Sequence, residues 1–240
     1  MKSLLTLLII SVAFSACRRE TGPDPAIGRM GRTLVTPSGA IELISSAALV
    51  EFRFRGDSCS VWLSSKAAEN DHNLVALELD GAYIGRRKVS GPAEQRYSVT
   101  ASGKSDWHTL RIYKATEASN GVVVFHKAKA AGLEKVQSER GFKVEFIGNS
   151  ITAAMGADTT ELPCGKGSKW YDQHNAYFSY AAQTARAVKA EFMLSAISGA
   201  GIYRNWNSDG PTVPQQYGSR SEEHTSELQS LRHLVCRLLL

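Results

Sequence analysis

Between Gly28 and Phe125, apolar side chains recur at every second position, and this period narrows what the first half of the chain can become. Successive side chains of a strand point to opposite faces, so alternation marks strands with one face on a core. Val50, Phe52 and Phe54 alternate with Glu51, Arg53 and Arg55, and Gly56-Asp57 then turns into Ser60-Val61-Trp62-Leu63. Val75, Leu77 and Leu79 lead to Asp80-Gly81, two residues that accept positive φ and so close a hairpin onto Tyr83 to Val89. Tyr97 and Val99, Trp107 to Tyr113 and Val122 to Phe125 continue the pattern. Many short strands at this spacing predict a β-sandwich of jelly-roll form over 28–127. Arg53, Arg55, Arg86 and Arg87 alternate with apolar residues or occupy turns, which predicts a solvated sheet face. The net charge is +5, and no Lys/Arg cluster is dense enough for a nucleic-acid stripe.

At Lys127 the period is lost, and 128–142 reads as a linker. Lys143-Val-Glu-Phe-Ile-Gly148 is then a short apolar strand that breaks at Gly148 and presents Ser150 at its carboxyl end, where α/β sheets carry their chemistry. A long irregular stretch, Ala153 to His174, follows. Asn175 can cap a helix running to about Ala190, with Tyr177, Ala181, Thr184 and Val188 on its packed face. Glu191 to Ser195 is the next strand, and Ser198-Gly-Ala-Gly201 turns after it. Strand, helix, strand implies a right-handed parallel crossover, so the loops at Ser150 and Gly199 leave the same sheet edge. A nucleophilic serine needs an exposed Oγ and nearby N–H groups for an oxyanion. Gly199 can bring its N–H close because no side chain stands in the way.

Lys2 followed by the apolar run Leu4 to Phe14 is too short to span a bilayer and has the form of an export signal. Ser15-Ala16-Cys17 resembles a bacterial lipoprotein cleavage site, which predicts a signal over 1–17, lipid on Cys17 and a polar tether over 18–27. Phe14 departs from the usual leucine, and an ordinary secretory signal is the alternative reading. Residues 219–240 resemble a translated sequencing adapter, through Arg220-Ser-Glu-Glu-His-Thr-Ser-Glu-Leu-Gln-Ser230 and Leu234-Val-Cys-Arg-Leu-Leu-Leu240. On that reading the natural sequence stops near Gly218, and a genuine amphipathic tail is the alternative. Cys59 and Cys164 fall in different predicted domains and are not expected to pair, although export would permit a disulfide. No histidine or cysteine spacing points to a metal, and no cofactor is expected.

Taken together, Val50-Glu-Phe-Arg-Phe-Arg-Gly56, Trp107-His-Thr-Leu-Arg-Ile112, Lys114-Ala-Thr-Glu117, Val144-Glu-Phe-Ile-Gly-Asn-Ser-Ile-Thr152, Tyr171-Asp-Gln-His-Asn-Ala-Tyr177 and Ser198-Gly-Ala-Gly201 resemble the two-domain family-2 carbohydrate esterases of the SGNH-hydrolase superfamily. The resemblance covers most of 28–218. It implies a β jelly roll followed by the first part of a parallel α/β esterase domain over 143–218. It further implies Ser150 as nucleophile, with the Ser150 and Gly199 N–H groups as oxyanion donors. The implied reaction is deacetylation of a polysaccharide such as xylan or mannan through an acetyl-enzyme. Asn149 stands where the family commonly has aspartate. The family's third oxyanion donor, an asparagine, and its base histidine belong to later blocks that do not precede 219. The chain as given is therefore expected to be inactive.

Several residues could be mistaken for catalytic groups. His224 lies in the adapter-like segment, and Asp209 in Asn-Ser-Asp-Gly is first of all a turn residue. His174 is expected to pack the loop, and His72, His108 and His126 belong to the sandwich. Trp170, Tyr171 and Trp206 form either a sugar-stacking platform or part of the core. The expected partners are an acetylated polysaccharide and, through Cys17, the membrane of a bacterial cell envelope. The rival reading is a non-catalytic carbohydrate-binding lipoprotein with a degenerate second domain.

Overall fold

The computed structural model describes residues 22–103, 105–137, 140–160, 162, 163, 166, 169–201 and 205–207, and the backbone of 235–239. Cys17, Cys164, Asp209 and His224 lie outside these residues.

The first eleven strands are β1 (Gly28–Met30), β2 (Thr33–Val35), β3 (Ile41–Leu43), β4 (Leu49–Arg55), β5 (Ser58–Lys66), β6 (His72–Leu79), β7 (Ala82–Ser90), β8 (Gln95–Thr100), β9 (Trp107–Lys114), β10 (Val122–Lys129) and β11 (Gly132–Glu134). They form two antiparallel sheets, ordered β1-β4-β9-β6-β7 and β2-β3-β10-β5-β8, with β11 also on β4. From β3 to β10 the chain crosses repeatedly between the sheets, so β3-β10-β5-β8 faces β4-β9-β6-β7 in the winding of a jelly roll. Val50, Phe52, Phe54, Leu63, Val75, Leu77, Leu110, Ile112, Val123 and Phe125 fill the space between the sheets. These are the residues of the period-two pattern.

β10 continues to Lys129, and Gly132 to Glu134 pair with Arg55 to Arg53 of β4. The sandwich therefore takes in the first half of the stretch read as linker. Its length was hidden because β11 is only three residues long and has no alternation of its own.

The second unit has a parallel pair, β12 (Lys143–Gly148) and β13 (Glu191–Ala196), in register from Lys143↔Glu191 to Gly148↔Ala196. A one-turn 3-10 helix, Ala176–Phe178, and α1 (Tyr180–Ala187) connect them. The expected single helix from Asn175 is thus divided. The Asn175 side chain accepts from the Tyr177 N–H and closes the 3-10 turn, and Ser179 caps α1 by accepting from the Ala182 N–H at 3.0 Å. The break changes the helix phase, so Ala181, Ala182 and Ala185 are buried while Thr184 and Val188 are exposed. On the other edge of β12, β14 (Val235–Leu239) pairs antiparallel, from Ile147↔Val235 to Lys143↔Leu239. Such pairing uses backbone groups that any open strand edge offers to an extended segment.

Much of the outer face of the β1-β4-β9-β6-β7 sheet is buried as well. That face carries Met30, Leu49, Leu74, Ala76 and Tyr113, which pack with Val144, Phe146, Tyr177, Phe192, Leu194 and the α1 alanines. The solvated face expected for Arg53, Arg55, Arg86 and Arg87 is therefore corrected at Arg86, whereas Arg55 and Arg87 are exposed and Arg53 is half-buried. Glu51, Glu78 and Arg86 are all buried, because the second unit covers the positions that alternation assigned to water. Their charges are paired: Arg111 Nε is 2.9 Å from Glu51, Arg140 Nη2 2.6 Å from Glu51, and Arg111 also binds Glu78.

Candidate active site

β12 ends at Gly148 because a turn folds back on it. A Cβ at residue 148 would stand 1.8 Å from the Thr152 Oγ1, and Thr152 is fully buried and hydrogen-bonded to the Tyr180 hydroxyl at 2.9 Å. The chain then coils. Ala153 N–H donates to the Asn149 carbonyl at 3.0 Å, and Met155 N–H to the Ser150 carbonyl at 2.9 Å. The Asn149 side-chain oxygen accepts from the Ile151 N–H at 3.1 Å. An aspartate could accept that bond equally well, so the amide keeps the turn. Ala153 and Ala154 pack inward, leaving Ser150 half-buried between the exposed Ile151 and the turn.

β13 leads to the second loop. The ladder runs one step past the strands, with Ile197 N–H on the Gly148 carbonyl at 3.2 Å. Ala200 N–H then donates to the Ile197 carbonyl at 3.1 Å, and Gly199 sits at φ +80, a left-handed conformation that favours glycine. Trp206 N–H donates to the Gly199 carbonyl at 2.7 Å. Among the described residues, neither the Ser150 N–H nor the Gly199 N–H has an acceptor. The register thus brings a half-buried serine and the N–H groups of Ser150 and Gly199 to the carboxyl ends of adjacent parallel strands.

The loop between Ser150 and α1 is fastened to the sandwich by Asp158. Its carboxylate lies 3.2 Å from Arg86 Nε and accepts from the Tyr83 hydroxyl at 3.1 Å, Asn175 Nδ2 at 2.9 Å and the Thr160 N–H at 3.2 Å. Burial alone would raise this carboxyl, but the bonds from Thr160 and Asn175 and the Arg86 charge hold it below the usual range. Arg86 Nη1 also donates to the carbonyls of Asp172 and His174, at 2.8 and 2.9 Å. No local pattern announced this anchor, since its partners are more than seventy residues apart.

Tyr171 belongs to the core: it is 2% exposed, accepts from the His72 N–H and donates to Asp71. Trp170 and Trp206 are exposed, at 53% and 83%. Together with Ile151 and Met155 they put large apolar side chains on the loops around the serine. His72 pairs with Asp172 at 3.0 Å, His108 with Asp80 at 2.6 Å, and His126 with Ser64 at 2.8 Å.

His174 is fully buried beneath the Trp170 ring, 4.7 Å between centroids, and neither ring nitrogen has a hydrogen-bond partner among the described residues. Burial first, then the charges of Lys114 and Arg86, push its pKa down to about 4, against the pull of Asp172. The unfolded chain therefore takes up a proton before the native one does. The stability that neutral His174 allows is complete above pH ~6.5 and is lost as pH falls toward 4, amounting to about 3 kcal/mol. Thermal unfolding between pH 7 and 4 should show a shallower acid limb for His174→Leu than for the parent. Parallel limbs would refute a neutral buried imidazole.

Residues 29–139 match the family described as Carbohydrate esterase 2 N-terminal. The chain is 30% identical over 203 residues to the cellulase/esterase CelE of Acetivibrio thermocellus, an alignment covering 81% of this chain and 23% of that protein. It is 27% identical over 171 residues to an acetylxylan esterase / glucomannan deacetylase of Cellvibrio japonicus, covering 69% of this chain and 44% of the relative. Among solved structures, a family two carbohydrate esterase from Clostridium thermocellum in complex with cellohexaose superposes with a TM-score of 0.66 at 27% identity, over 86% of this chain and 61% of that one. The chain spans less than two thirds of each of these proteins. Residues 29–139 thus match the carbohydrate esterase 2 N-terminal family, on a chain that aligns over most of its length with a solved family two carbohydrate esterase.

Proposed function

We propose that this chain is the N-terminal portion of an exported SGNH-type serine esterase that removes O-acetyl groups from a polysaccharide of the xylan or mannan class. The observation that carries the reading is the parallel register of β12 and β13, which sets Ser150 and Gly199 at one sheet edge. In this reaction the Ser150 Oγ attacks the acetyl carbonyl, and the oxygen that becomes negative is held by the N–H groups of Ser150 and Gly199. Collapse releases the sugar hydroxyl, which regains a proton, and leaves acetyl on Ser150. Water then attacks the acetyl-enzyme and yields acetate. The names of the relatives, an acetylxylan esterase / glucomannan deacetylase and a cellulase/esterase, support the substrate class. Exposed Trp170 and Trp206 suit stacking against sugar rings. Lipid on Cys17 would hold the enzyme at the bacterial envelope.

Proton transfer from Ser150 requires a base. His174 is buried and neutral, and His72, His108 and His126 belong to the sandwich. On this reading the base comes from a later block, and the 240-residue chain has no turnover. Hydrolysis of p-nitrophenyl acetate and acetylated xylan should be undetectable for this chain. It should appear once the reading frame is completed from genomic DNA, and Ser150→Ala should lower it more than ~1,000-fold. Turnover by the 240-residue chain that Ser150→Ala abolishes would show the base to be present already. A completed protein that binds xylan without hydrolysing it would favour the binding lipoprotein.

A further inference from the structure

The loop bearing Gly199 is held by a residue of the sandwich. Glu117 is 1% exposed and immediately precedes the 3-10 turn Ala118–Asn120. A side chain in that place can accept from the first N–H groups of its own turn. Here the Glu117 side chain makes no such bond. Its Oε2 accepts from the Ser198 N–H at 2.9 Å, and its Oε1 accepts from the Ser198 hydroxyl, 81 residues away in sequence. The Glu117 main chain is itself fixed from below. Lys114, with no exposed surface, donates from Nζ to the carbonyls of Glu117 and Thr116, the latter at 2.9 Å. The Thr116 hydroxyl is held by Asn73, which bonds Ser65 and the Asn120 carbonyl. The anchor is therefore a packed polar network rooted in β5, β6 and β9.

We propose that Glu117 is a positioning residue for the oxyanion loop: its carboxylate takes both donors of Ser198, which fixes the next N–H, that of Gly199, as a free donor at the sheet edge of Ser150. The inference rests on Ser150 being the nucleophile. It makes the sandwich part of the catalytic apparatus, since the donor's placement is decided by a side chain from the other domain. Charge-assisted bonds to a buried carboxylate are short and directional, so they hold a loop more firmly than solvent-exposed contacts do. A donor displaced by about 1 Å can lower the rate ~100-fold without affecting substrate affinity.

Two measurements test this. In the 240-residue chain, amide hydrogen exchange of the peptide spanning 197–201 should rise at least ~10-fold in Glu117→Ala, with β12 and sandwich peptides unchanged. In the enzyme completed from genomic DNA, Glu117→Ala should lower kcat for an acetyl ester about 100-fold with KM within ~2-fold. Glu117→Gln keeps an acceptor for the N–H and a partner for the hydroxyl, and should recover most of kcat. Ser198→Ala, which removes only the hydroxyl bond from a surface loop, should cost about 10-fold and serves if Glu117→Ala does not fold. Parental kcat in Glu117→Ala, or in both Ser198→Ala and Glu117→Gln, overturns the proposal, as does unchanged exchange at 197–201. Ser150→Ala assayed beside them separates the two ideas. Full activity there removes Ser150 as the nucleophile, while activity lost in Ser150→Ala but intact in Glu117→Ala removes only the positioning role.

Discussion

Gly148→Ala should destabilise the protein by about 3 kcal/mol and displace the turn that carries Ser150. Adding one methyl group to a strand residue is usually harmless, and no turn conformation forbids it at 148, which is not among the positive-φ glycines. The cost comes from a neighbour. The new Cβ would meet Thr152 Oγ1 at 1.8 Å and the Thr152 Cβ at 2.5 Å, far inside contact distance. Thr152 cannot swing away, because it has no exposed surface and its hydroxyl is held by Tyr180 at the start of α1. The strain therefore passes to the 149–155 turn or to α1. Chemical denaturation should show the loss, and Thr152→Gly should relieve part of it. The double variant is then less destabilised than the sum of the single ones. A Gly148→Ala midpoint equal to the parent's would mean that the strand end and turn are looser than described.

Arg86→Met should cost about 3–5 kcal/mol, felt first in the second unit. The Arg86 side chain is almost fully buried between β7 and the 157–174 loop. Its removal leaves the Asp158 carboxylate, 1% exposed at the side chain, without its cation, and takes a donor from two carbonyls. Methionine replaces the volume but none of the bonds. Lysine would be little better, because one ammonium cannot serve a carboxylate and two carbonyls in the planar arrangement of a guanidinium. Limited proteolysis should cut the 157–174 stretch of Arg86→Met well before the sandwich. Asp158→Asn added to it should restore part of the loss, since the unpaired charge is then gone. Equal protease resistance and stability in Arg86→Met and parent would argue against the anchor.

Both sites illustrate what alternation can reveal. The period-two residues of β4, β6 and β9 predicted the sandwich because burial between two sheets acts on every second side chain. The same rule placed the intervening residues in water, which holds for Arg55 and Arg87 but fails under the second unit. Glu51, Glu78 and Arg86 have the polarity of a surface but lie under the second unit, neutralised pairwise by Arg111, Arg140 and Asp158. A polar residue facing solvent and a polar residue paired across a domain interface look alike in a linear pattern. Helix phase failed for a related reason. Asn175 caps only the 3-10 turn and Ser179 caps α1, and the buried stripe is made of alanines, whose small size gives little periodic signal.

Local chemistry sufficed for the strand that stops at Gly148, the serine two residues later and the glycine turn after β13, because each depends on backbone freedom within a few residues. The pairing of β12 with β13 was also legible, through the handedness of a strand–helix–strand crossover. What holds these loops in place was not. The Ser198–Glu117 bonds and the Arg86–Asp158 pair join residues separated by some seventy to eighty positions, and distance along the chain carries no record of them. Such contacts exist only once the sandwich and the parallel unit have packed, since packing removes the water that would otherwise have satisfied the same groups.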